Sequence, residues 1–110
     1  MKIVEITDIE IKFDNGNTIT YDHIQDCCEY NYADFLYLRD ESDVEGYDFE
    51  HPLWFERVDG AGFRFGNRDK RMFFVPCYSE QNGYYSDDIC IYYNGHEVIH
   101  DLQCDDSKMY

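Results

Sequence analysis

The sequence predicts an α+β fold: a mostly antiparallel β-sheet of hairpins with one short helix after a Cys-Cys stretch. Three observations predict it. Runs such as Ile9-Glu10-Ile11-Lys12-Phe13 alternate apolar and charged side chains, the period of a half-buried strand. Asn-Gly pairs at Asn15-Gly16 and Asn94-Gly95 stand between such runs, where their tolerance of positive φ suits hairpin turns. Helical spacing shows in one place, over Tyr32 to Leu38, where Phe35, Leu36 and Leu38 form an apolar side and Asn31 is placed to cap it, with a short strand as the alternative there.

Taken in order, Met1 to Phe13 reads as strand. Val4 and Ile6 sit on the opposite parity to Ile9, Ile11 and Phe13, so a bulge or bend near Thr7-Asp8 is expected. A type I′ turn at Asn15-Gly16 leads to a return strand over Thr18 to His23, with Phe13 facing Thr18. After the short helix, Asp40 to Glu50 is an acidic loop broken at Gly46. Strands follow at Leu53 to Val58, around Phe63 and Phe65, and over Lys70 to Tyr78, with turns at Asp59-Gly60 and Gly66 to Asp69. Pro76 donates no hydrogen bond, which puts its end of the strand at an edge or bulge. Asp88 to Tyr93 and His96 to Leu102 form a second hairpin about Asn94-Gly95.

A chain of 110 residues is the size of one domain, read as 1–104 with a polar, frayed tail over 105–110. Its 11 Tyr and 8 Phe supply much of the core and argue against disorder, since acid-rich disordered chains lack aromatics. The N-terminus lacks the apolar run of a signal peptide, and no stretch is long and apolar enough to span a membrane. The expected setting is the cytoplasm, with the five cysteines reduced and each, by default, a small buried hydrophobe.

A net charge of −15 argues against direct binding to nucleic acid or anionic membrane and favours a cationic partner. From Asp14 to Glu50 eleven acids stand against Arg39 alone, a local net charge of −10. The expected contact face is Asp26, Glu29, Asp34, Asp40, Glu41, Asp43, Glu45 and Asp48, able to imitate a phosphate backbone before a basic protein. The loop acids lack the spacing of an EF-hand. Five of the nine basic residues, Arg57, Arg64, Arg68, Lys70 and Arg71, cluster in the strand region, where pairing with acids on neighbouring strands is preferred over an anion site.

The stretch DHIQDCCEYNYADF from Asp22 to Phe35 gathers metal-ligand types in His23, Cys27 and Cys28. Adjacent cysteines in extended chain point apart, so a zinc site there would have to draw on Cys77, Cys90, Cys104, His96 or His100. The same residues hold the members of a Cys-His-Asp triad, but surrounding acids disfavour a thiolate, and no catalytic residue is assigned. Asp59-Gly60-Ala61-Gly62 joins two strands and opens no helix, so it is a turn and not a phosphate cradle. No cofactor is expected.

Two runs carry a resemblance. His23, Gln25, Asp26, Cys27, Cys28 and Glu29 stand in an HDQDCCE-like run, and Asn82, Gly83, Tyr84, Tyr85, Ser86 and Asp87 in an SNGYYSE-like run. The chain resembles in these a family of small phage and bacterial proteins of unknown function, with WFERVDGAGFRF and RMFFVPCY similar to that family's strand pair. Ile24 and the Asp40 to Glu50 loop depart from its pattern. The resemblance implies a mobile-element setting and two runs that meet in space. The expected function is a non-enzymatic acidic protein that binds, and inhibits or regulates, a basic nucleic-acid-binding host protein. The alternative is a small-molecule or metal-binding domain centred on His23, Cys27, Cys28 and the Asn82 to Asp87 loop.

Overall fold

The computed structural model describes residues 1–22, 30–41, 43–80 and 88–107. Its elements are β1 (Ile3–Ile6), β2 (Glu10–Phe13), β3 (Thr18–Asp22), β4 (Tyr30–Ala33), α1 (Leu36–Glu41), β5 (Trp54–Val58), β6 (Gly62–Gly66), β7 (Met72–Glu80), β8 (Asp88–Tyr93) and β9 (His96–Gln103). The strands form two antiparallel sheets, ordered β1-β2-β3-β8-β9 and β4-β7-β6-β5. A single meander is therefore corrected to a β-rich fold of two sheets. The chain leaves the first sheet after Asp22 and rejoins it at Asp88, building the second sheet in between.

The two sheets share one core. Ile11, Ile19, Ile89, Ile91, Ile99 and Leu102 come from the first, and Phe63, Phe65, Phe73, Val75 and Cys77 from the second. Phe49 joins them, with its ring 5.6 Å from Phe13, 5.6 Å from Phe65 and 5.4 Å from Phe73. Edge and tilted contacts of this kind add to area burial because the ring quadrupoles are complementary. Among the described residues, no helix is long and apolar enough to cross a membrane.

Several local expectations change. Met1 to Phe13 is a hairpin, not one bent strand: Thr7 Oγ1 accepts from the amides of Ile9 and Glu10, and the chain reverses so that Ile6 faces Ile11. Threonine competes for backbone donors in this way wherever a turn is available. At Asn15-Gly16 the loop has three residues rather than two. Phe13 N donates to Asn17 O, Lys12 and not Phe13 faces Thr18, and Gly16 takes φ 90°. That is a type I turn closed by a left-handed residue. The Asn94-Gly95 hairpin is the two-residue form expected, with φ of 55° and 81°.

The helix over Tyr32 to Leu38 is displaced. Residues 30–33 form β4 on β7, and α1 begins only at Leu36. Asn31 does not cap a helix; it is fully buried within β4. Pro76 lies inside central strand β7, not at an edge. Cys77 N donates to Ala61 O toward β6, so the alternation of the strand turns Pro76 toward β4. The β4 ladder has ended there, at Ala33 opposite Cys77, and Asp34 N bonds Pro76 O. The missing N–H thus falls where no ladder bond is needed. Asp105 is not frayed: its N donates to Cys77 O and its O accepts from Ser79 N, which stitches the end of β9 to β7.

Candidate functional site

Residues 43–50 carry three of the eight acids expected to form the contact face, Asp43, Glu45 and Asp48, and buried residues of the same stretch pack behind them. Val44 and Phe49 enter the core, whereas Asp43, Glu45, Asp48 and Glu50 are exposed. The side-chain amide of Asn67 grips the backbone on both sides of Phe49: Glu50 N donates to its Oδ1 at 2.6 Å, and its Nδ2 donates to Asp48 O at 3.1 Å. Phe49 N bonds Met1 O at 2.7 Å. At the loop's end, His51 Nδ1 lies 2.7 Å from Tyr93 Oη, which also accepts from Asn17 Nδ2. These bonds tie the backbone over residues 48–51, and Val44 anchors the start of the stretch in the core.

The loop runs beside the open edge of the first sheet. A groove of about 290 Å³ separates them, with Ile3, Val4, Ile6 and Val44 as its apolar walls and Glu5, Glu45 and Arg39 as its charges. β1 is an edge strand, and Val4 is 60% exposed. Of the other expected face residues, Asp40 is exposed on α1 beside Arg39, and Asp34 is half-buried at the junction of β4 and α1. Asp48 bonds the Met1 amine at 3.2 Å, and Glu50 pairs with Lys70 at 2.9 Å. Among the described residues no cation pairs with Asp43 or Glu45.

A second surface was not apparent from the sequence. Tyr30 meets Tyr32 edge to face along β4 at 4.6 Å, and Tyr32 lies tilted against Tyr78 of β7 at 5.7 Å. Burial and the Glu80 carboxylate, which bonds the hydroxyl, push the Tyr32 phenol well up. The period-two spacing of Tyr30 and Tyr32 carried the signal, but a helical reading of that segment hides it.

The basic cluster is consumed internally. Arg64 bonds Glu56 directly across the strand pair, Arg57 lies 3.8 Å from Asp59, and Arg68 and Arg71 stand over the rings of Trp54 and Phe73 at 5.0 and 4.5 Å. This favours pairing over an anion site.

Asp26, Glu29 and the family-run residues His23, Gln25, Cys27, Cys28, Asn82, Gly83, Tyr84, Tyr85, Ser86 and Asp87 lie outside the described residues, as does the Glu41 side chain. Their anchors do not. Asp22 pairs with Cys90 in one sheet and Tyr30 with Glu80 in the other, so both runs connect the sheets between the same two strand pairs. Among the described residues, one cluster could hold a metal ion, Cys90, Glu97 and His100. Of the other cysteines, Cys77 and Cys104 are buried, and burial pushes the Cys77 thiol well up.

No protein-family model, curated protein or solved structure matches the chain.

Proposed function

We propose that this chain is a non-enzymatic binding protein that offers the acids of residues 40–50, beside the open edge of β1, to a basic partner protein. The observation that carries this is the clamp on Phe49: the loop's apolar residues and backbone are fixed from behind, so Asp43, Glu45 and Asp48 point outward from a rigid base. A clamped backbone loses little entropy when a partner docks on it, and a field of one sign speeds encounter. The open backbone of β1 and the exposed Val4 supply a short apolar and hydrogen-bonding contact next to those charges. The resemblance to phage and bacterial proteins adds the setting: a mobile-element product that occupies the nucleic-acid groove of a host protein.

The test is affinity capture from a host extract at low and raised salt, with the wild type beside an Asp43→Asn, Glu45→Gln, Asp48→Asn variant. A basic protein captured by the wild type should fade steeply as salt rises, because exposed charges are screened within about 10 Å at 0.1 M salt. The variant should not capture it. Capture indifferent to both salt and the three substitutions would overturn the reading.

A further inference from the structure

At the opposite edge of the first sheet from β1, strand β9 is bulged twice, and the bulges gather a different set of side chains. Register slips between Ile89 and Ile91 and again between Ile91 and Tyr92. Ile99 and Leu102 are both buried although they are three residues apart. In a regular strand they would point to opposite faces. The bulge resolves this by setting His100 and Asp101 together opposite Cys90, with Asp101 at φ 50° and both side chains exposed. Bulges re-aim side chains in this way.

The result is a convergence of three donor types. Cys90 Sγ lies 3.7 Å from His100 Nδ1, and Glu97 Oε1 also contacts that nitrogen. The three donor atoms all lie within 4.8 Å of one another. The other ring nitrogen, Nε2, lies 3.1 Å from Asp101 Oδ2. Arg57 donates to the His100 carbonyl and fixes the backbone beneath the ring.

We propose that Cys90 Sγ, Glu97 Oε1 and His100 Nδ1 bind one divalent cation of the zinc class, with Asp101 orienting the imidazole. Zinc–sulfur and zinc–nitrogen distances of about 2.3 and 2.0 Å put tetrahedral S and N donors about 3.5 Å apart, close to the separation found. A metal-bound histidine characteristically donates its other N–H to a carboxylate, the role that Asp101 fills. Thiolate with imidazole selects a borderline cation over magnesium or calcium, which prefer oxygen alone. Asp22 is paired with Cys90 and shares its face, adding negative field. A surface His–Glu ion pair alone accounts for Glu97 but not for the thiol on the same nitrogen. Metal binding needs the thiolate and an Nδ1 free of its proton, so the protons held by Cys90 Sγ and by Nδ1 pass to solvent while Nε2–H donates to Asp101. The site is independent of the acidic-loop reading.

Cobalt(II) titration of the reduced protein tests it, in a Cys27→Ser/Cys28→Ser background that removes the adjacent pair. One equivalent should bind with a thiolate-to-cobalt charge-transfer band, and zinc should displace it. Cys90→Ser should abolish the band. His100→Ala should weaken binding at least about tenfold, and Asp101→Asn about tenfold. All three positions are solvent-accessible, and circular dichroism checks that each variant is folded. A band that survives Cys90→Ser, or stoichiometric binding that disappears with Cys27 and Cys28, would overturn the proposal. So would a wild type that binds no stoichiometric cobalt.

Discussion

The Asn67 side chain receives the amide of Glu50 and donates to the carbonyl of Asp48, so one buried amide brackets Phe49 from the turn between β6 and β7. Removing it takes a partner from two part-buried backbone groups, Glu50 N and Asp48 O. Asn67→Ala should cost about 1–3 kcal/mol. The loss should be local as well as global. Hydrogen exchange at the Glu50 amide should accelerate more than exchange in β8, and equal acceleration in both would show that the clamp has no special hold on the loop.

Two glycines in the adjoining turn separate conformational from steric cost. Gly62 has φ 157°, and a Cβ there would meet Val75 O at 2.1 Å, a contact that only backbone movement relieves. Gly60 has φ 82° with no atom near a new Cβ. Gly62→Ala should therefore destabilise by about 3 kcal/mol and Gly60→Ala by about 1 kcal/mol. Chemical denaturation of both variants measures the difference, and similar values would mean that β7 yields to the added methyl.

Alkali should unfold the protein through its tyrosines. Burial first, then neighbouring Tyr30 and Asp8, push the Tyr21 phenol from 10.0 to about 12. The unfolded chain loses that proton near 10 and the folded chain only near 12. Between these values the unfolded state holds fewer protons, so stability falls as pH rises. The contribution is complete below the lower value and gone above the upper one. Tyr32 shifts in the same direction. The urea midpoint should drop between about pH 10 and about pH 12, and Tyr21→Phe should make the drop shallower. An unchanged slope in the variant would place the loss elsewhere.

These features differ in how far the sequence displays them. The Asn94-Gly95 hairpin was legible because its turn chemistry is local. The outward acids of residues 43–50 were legible because charged groups stay in water by default. Their clamp was not, since Asn67 is distant in sequence and an asparagine after Gly66 reads as an ordinary turn residue. The helical reading of residues 32 and 33 is overridden by tertiary pairing: Phe35, Leu36 and Leu38 do belong to a helical turn, but β7 recruits the residues before them into β4. The Cys90 cluster was hidden by register. Ile99 and Leu102 fit no strand period until a bulge between them is allowed, and only then does His100 meet Cys90.

Buried polar pairing makes a further test between β4 and β7. Ser79 Oγ donates to Asn31 Oδ1 at 2.6 Å, and both residues are wholly buried. Ser79→Ala should cost about 1 kcal/mol, the loss of one buried hydrogen bond. Replacing both residues by apolar groups of similar shape should cost less than the two single changes added together. A double-mutant cycle in urea reads that coupling, and additivity would show that each residue is satisfied independently.

The three described cysteines should separate by reactivity in the native state. Cys77 and Cys104 are 0% and 1% exposed, and burial raises the Cys77 thiol. Cys90 is half-buried on the outer face, and its thiol is raised chiefly by burial, opposed by a backbone hydrogen bond from Asp101 and reinforced by the charges of Glu97, Asp101 and Asp88. Alkylation requires both access and thiolate. Iodoacetamide at about pH 8 should therefore modify Cys90 before the other two, yet more slowly than a free thiol. Cys77 and Cys104 should react only as fast as the protein unfolds, because neither is reached without opening the seam where Asp105 is stitched to β7. Peptide mapping by mass spectrometry gives the order directly. Labelling of Cys77 at the rate of Cys90 under native conditions would mean that the end of β9 detaches from β7 well below the global unfolding free energy.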